Sequence, residues 1–135
     1  PWARGLCFAE WDLSPHTVDQ LPHLLAVLIQ GQIEASGARG TGNIRTPFSR
    51  QQLLRTLTET GWRPVSDDTV DTTGLQDADW EVNECRRMLS DESRMATLPS
   101  AVRDFVMSQA DVLDAVAATR ANRPLPAWSV TARRT

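Results

Sequence analysis

Apolar residues recur along this chain with two different periods, and the changes of period mark out its elements. The run Gly5-Leu6-Cys7-Phe8-Ala9-Glu10-Trp11 is short and almost wholly apolar. It lacks the alternation of a strand with one wet face, so it predicts a strand covered on both sides, as in the parallel sheets of α/β proteins. Asp12 and Pro15 close the turn after it. Thr17, followed three residues later by Gln20, forms a capping-box pattern, and Leu21, Leu24, Leu25, Leu28, Ile29 and Ile33 then recur at helical spacing. Pro22 falls early enough in that helix to be tolerated with slight distortion. The glycine-rich stretch 36–43 reads as a flexible loop.

A second capping box, Ser49 with Gln52, opens a helix through Leu53, Leu54 and Leu57 that stops at Gly61, the residue type favoured just past a helix end. Trp62 to Val70 is a candidate strand whose start Pro64 turns into an edge or a bulge. Two further helices are expected, from about Asp79 to Leu89 and from about Ser100 to Arg120. Pro124 and Pro126 lead into a closing strand over Ala127 to Ala132. No internal repeat interrupts this order, and the whole chain reads as one domain, 1–135, with an insertion at about 72–124 between the last two strands.

Composition narrows the function classes. The chain has 135 residues, of which 41% are hydrophobic and 23% charged, which suits a globular domain with one modest core. No stretch approaches the roughly 18 apolar residues of a membrane span. Pro1-Trp2-Ala3-Arg4-Gly5 lacks the apolar core and cleavage site of a secretory signal, so a cytoplasmic location is expected. A start at Pro1 fits either removal of a methionine or a fragment of a longer protein. All basic residues are Arg, and the net charge of −3 argues against a coat for phosphate backbones. Cys7 and Cys85 sit in unlike surroundings and are expected as free, buried thiols.

Candidate chemistry gathers after the first strand. Glu10-Trp11-Asp12 stands at the C-terminal end of that strand, where open α/β sheets place their ligand crevice. Strand alternation sends Glu10 and Asp12 to one face, where they would act as a base or hold a substrate amine; the alternative is a solvated turn. His16 and His23 flank the start of the first helix as candidate general base and substrate contact, or as ordinary helix-start histidines. Neither histidine nor cysteine spacing matches a metal site, so no metal is expected. The glycine-rich loop follows a helix and lacks a phosphate-binding fingerprint, which leaves a connector or a lid over an acceptor site. At its end Asn43 and Arg45 are candidate substrate-binding residues. The charges of Glu81, Glu84, Arg86 and Arg87 read as a solvated helix face.

The order of elements, together with Arg4-Gly5-Leu6-Cys7-Phe8-Ala9-Glu10-Trp11-Asp12, Phe48 to Leu54 running into Thr60-Gly61-Trp62, and Leu125-Pro126-Ala127-Trp128-Ser129-Val130, resembles the C-terminal half of a class I S-adenosylmethionine-dependent methyltransferase. The resemblance runs from the fifth to the seventh strand of that family. It implies an α/β fold with one parallel strand plus a terminal strand pair whose last member is antiparallel to the rest. It also implies an acceptor pocket at the end of the fifth strand, with Glu10, Asp12 and His16 as catalytic candidates and Trp11, His23, Asn43 and Arg45 lining it. The Gly-rich loop, acidic strand end and fourth-strand residues that hold S-adenosylmethionine in the family have no counterpart here. That departure implies a cofactor held mainly by a partner.

The same conclusion follows from strand count. A strand apolar on both faces needs neighbours and two covering layers, and this chain offers too few strands to close both edges. A separate chain carrying the N-terminal half, a second copy of this chain, or a further segment of a longer parent would complete it. Rival readings are a non-catalytic partner or stabilising subunit of such a complex, and a self-associating binding module.

Overall fold

A computed structural model describes residues 4–14, 17–37, 49–75, 77–119 and 121–135. Three strands, β1 (Gly5–Trp11), β2 (Trp62–Val70) and β3 (Ala127–Arg134), form one sheet in the order β1-β3-β2. β3 is antiparallel to both neighbours, with Phe8 opposite Val130 and Asp67 also opposite Val130 on the other side. β1 and β2 therefore run in the same direction without pairing to each other.

The closing strand is antiparallel to the rest, as the resemblance implies, while among the described residues no strand lies parallel beside β1, whose one partner is β3. Nor is β1 covered on both faces: Leu6 and Phe8 are half-buried, whereas Cys7 and Ala9 are exposed. Its apolar composition exceeds what this chain alone can bury. The register of β2 shifts between Pro64 and Ser66, which is the bulge that a proline without an N–H imposes on a ladder.

α2 (Arg50–Glu59) covers one face of the sheet. Leu53 and Leu57 pack with Trp128, Val130 and Ala132 of β3, flanked by Leu6, Phe8, Leu54 and Trp62. Its N-terminus is held by the Ser49 hydroxyl, which accepts the Gln52 N–H at 3.1 Å, while Gln52 Oε1 accepts the Ser49 N–H at 2.7 Å. Its end is turned by Gly61 at φ +80°, a left-handed conformation that glycine adopts without a Cβ clash.

The remaining helices build a second core. α1 (Leu21–Gly37), α3 (Ala78–Leu89), α4 (Glu92–Met95) and α5 (Ser100–Ala117) bury Ala26, Ile29, Ile33, Val82, Cys85, Met88, Met95, Val106 and Leu113 together. The capping box at Thr17 opens not α1 itself but a 3-10 turn, Val18–Gln20, that leads into it. α4 escapes a periodicity reading because four residues hold too little of a pattern; Asp91 caps it by accepting the Arg94 N–H at 3.0 Å. Among the described residues no helix is long and apolar enough to cross a membrane.

Candidate functional site

The C-terminal end of β1 meets the start of α1 and the approach to β3 at one junction, and the tripeptide Pro124-Leu125-Pro126 lies at its centre. Two prolines leave this tripeptide a single backbone donor, the Leu125 N–H, against three carbonyls. All four groups are taken. The Leu125 N–H donates to His23 Nδ1 at 2.9 Å, and the Leu125 carbonyl accepts the Thr72 hydroxyl at 2.6 Å. The Pro124 carbonyl accepts Gln20 Nε2 at 3.0 Å, and the Pro126 carbonyl accepts the Asp12 N–H at 2.7 Å. One residue earlier, the Arg123 N–H donates to the Asp19 carbonyl at 2.9 Å. A buried backbone group without a partner costs about 1–3 kcal/mol, so this accounting holds β1, α1 and β3 to one another.

His23 is wholly buried, and its ring stands edge-on to the indole of Trp11, with centroids 4.8 Å apart and planes at 72°. Because Nδ1 accepts, the neutral ring carries its proton on Nε2, which has no hydrogen-bond partner among the described residues. Burial pushes the imidazole from 6.5 down to about 4, since a charged ring would lose its water.

Glu10 is the last exposed carboxylate on β1, and its Oε1 accepts the Trp11 N–H at 3.0 Å. Asp12 lies one residue past the strand, half-buried, with Oδ1 accepting the Ser14 N–H at 3.0 Å. Glu10, Trp11, Asp12 and His23 thus share one corner of the molecule, and among them the ring contact of Trp11 with His23 spans separate elements. His16, Asn43 and Arg45 lie outside the described residues. Gln20, expected only as a capping residue, and Thr72, to which the sequence assigned no role, are buried polar residues tied to the Pro-Leu-Pro segment. The isolated donor between two prolines was the available signal.

Elsewhere the described residues hold no group of three or more His, Cys, Asp or Glu placed for a metal. A shallow groove of about 400 Å³ opens at the opposite end of β1, lined by Gly5, Leu6, Cys7, Val65, Thr131, Ala132 and Arg133. It lies away from Glu10 and Asp12. Cys85 is buried, and desolvation raises its thiol to about 12. Both cysteines are free thiols, but Cys7 is exposed and not buried as expected, because it lies on the face of β1 that α2 does not cover.

No family model matches the chain, and no curated protein matches it either. A solved structure does, over 96% of this chain, with a TM-score of 0.72 and 25% sequence identity. The chain is similar to a cyclopropane-fatty-acyl-phospholipid synthase-like protein from Lactobacillus casei ATCC 334. It spans 44% of that synthase-like protein's length. The three strands, the helix on the sheet and the helical cluster therefore have a counterpart in a substantially longer polypeptide.

Proposed function

We propose that this chain is the acceptor side of an S-adenosylmethionine-dependent transferase of the methyltransferase type, completed by polypeptide outside these residues. One observation carries the reading: a β1 strand too apolar for the cover it has, with no strand beside its outer edge among the described residues, in a fold that matches 44% of a synthase-like protein. The resemblance read from the sequence and the likeness in structure point to the same kind of enzyme.

The described residues themselves do not fit the cofactor. No glycine turn follows β1, and among the described residues no parallel strand is paired beside β1 to bring an acidic strand end next to it for a ribose. The cofactor's seat belongs to the completing polypeptide, and this chain's part is to hold the acceptor. On this reading Trp11 is assigned as an apolar and aromatic wall at the strand end, and the exposed Glu10 carboxylate, which alternates to the other face of β1 beside it, as the group that accepts a proton from an acceptor that loses one on alkylation. The name of the synthase-like protein makes a fatty-acyl chain the acceptor class to test first. Asp12, with its carboxylate turned back onto the Ser14 N–H, orders the turn beside Glu10. His16, Asn43 and Arg45 remain assigned to the acceptor side on sequence alone.

Isothermal titration of the purified chain with S-adenosylmethionine tests the division of labour. No heat of binding is expected from this chain by itself, and a tight one-to-one isotherm would overturn the proposal. Co-expression with a cofactor-binding half should restore methyl transfer, with Glu10→Gln lowering turnover while association is kept. Full turnover by Glu10→Gln would instead favour the non-catalytic partner reading.

A further inference from the structure

The junction around Pro124-Leu125-Pro126 contains one polar group that packing alone does not account for. His23 sits in the first turn of α1, 102 residues from the amide it accepts, and it also carries the one side chain whose ring contact reaches Trp11 from another element. A leucine or phenylalanine would fill the same volume without the cost of burying an imidazole. What an apolar ring lacks is an acceptor for the Leu125 N–H. What an amide or carboxylate lacks is an aromatic edge for the Trp11 indole. Histidine combines the two, with Nδ1 committed to the backbone and the ring plane fixed by that bond.

We infer that His23 is a positioning residue for Trp11: anchored by the Leu125 N–H, its ring sets the orientation of the indole at the C-terminal end of β1. On the acceptor-side reading above, on which this consequence rests, it thereby shapes the wall that the acceptor meets without touching the acceptor. The hydrogen bond makes the orientation insensitive to rotation about the imidazole's own axis, because turning the ring would leave a buried amide without a partner. The ring's low proton affinity agrees with this role, since a protonated Nδ1 is a donor and would oppose the Leu125 N–H.

Two substitutions separate the two halves of the role. His23→Asn keeps an acceptor near the place of Nδ1 and removes the ring; His23→Phe keeps a ring and removes the acceptor. Hydrogen exchange at the Leu125 amide and the indole N–H resonance of Trp11, assigned through Trp11→Phe, are read in each. His23→Phe is expected to speed Leu125 exchange by roughly 10-fold or more, from the loss of a buried hydrogen bond, and, with the ring's anchor gone, to shift the Trp11 indole as well. His23→Asn is expected to shift the indole while Leu125 stays protected.

A side chain that merely fills space would move both probes together in each variant, in step with the fall in Tm, and that result would overturn the inference. An unmoved indole in His23→Asn would overturn it as well. Should His23→Phe fail to fold, long-range proton–nitrogen spectra of the unaltered protein decide: the proton must sit on Nε2, and an Nδ1–H or a charged ring at neutral pH defeats the proposal. None of these readouts uses a methyl donor, so they stand or fall apart from the titration with S-adenosylmethionine.

Discussion

The Thr72 hydroxyl donates to the Leu125 carbonyl at 2.6 Å, joining the second residue past β2 to the residue whose N–H is held by His23. Both partners are buried. Thr72→Val preserves shape and leaves that carbonyl short of a partner, so a loss of about 1–3 kcal/mol is expected. Thr72→Ser should recover most of it. Urea unfolding followed by circular dichroism measures both, and a neutral Thr72→Val would mean that the carbonyl is satisfied by another route.

The buried imidazole gives stability a pH dependence of known sign. Burial holds the ring at about 4 in the folded chain, against an ordinary 6.5. Between these limits the unfolded chain takes up a proton and the folded chain does not, so stability falls as the pH drops from 6.5 toward 4 and is unaffected above that range. The full shift corresponds to roughly 3 kcal/mol at most. His23→Asn should remove this contribution to the slope. Denaturation midpoints at pH 7 and pH 4.5 for the two proteins provide the comparison.

The two thiols should behave oppositely. Cys7 is exposed on the face of β1 away from α2, and Cys85 is fully buried with its thiol raised to about 12. The thiolate is the reactive form. A disulfide reagent at pH 8 is expected to label one cysteine in the native protein and the second on unfolding. Fast labelling of both would show that the helical core opens readily.

The two cores invite separate tests. Leu113→Ala in the helical cluster and Leu57→Ala between α2 and the sheet each empty a site less than a twentieth exposed. Each is expected to cost about 2–5 kcal/mol. One shared unfolding transition in both variants indicates that the Pro-Leu-Pro junction couples the cores. Two separated transitions indicate that it does not.

The outer edge of β1 has its own readout. With β3 on one side only, every second amide from Leu6 to Trp11 points away from a partner strand and should exchange rapidly. Association with a completing polypeptide should protect those amides by orders of magnitude. Continued fast exchange in an active assembly would place the partner elsewhere.

Local pattern was enough for most elements, because capping boxes, proline positions and 3.6-residue periodicity act over a few neighbouring residues. Ser49 with Gln52, the bulge at Pro64 and the turn at Gly61 all lie within reach of such signals. The location of Glu10 and Asp12 at a strand end was legible for the same reason. Partnership across long separations was not. Nothing near residue 23 announces that its imidazole will receive the amide of Leu125, and nothing in the apolar run at Leu6 to Ala9 distinguishes a strand buried on both sides from one whose cover comes from elsewhere.

By itself, then, the sequence determined most of the helices and strands, α4 and the 3-10 turn excepted, and the free state expected of its two cysteines, and it left the Leu125 N–H a lone donor between Pro124 and Pro126 without saying what meets it. Tertiary structure alone decided that β3 inserts between β1 and β2, that the helices gather into a core apart from the sheet, and that His23 is the side chain that meets the donor. The physical reason is range. Propensity and capping are summed over neighbours along the chain, whereas strand order and buried hydrogen bonds are settled by which distant groups can be desolvated together at least cost.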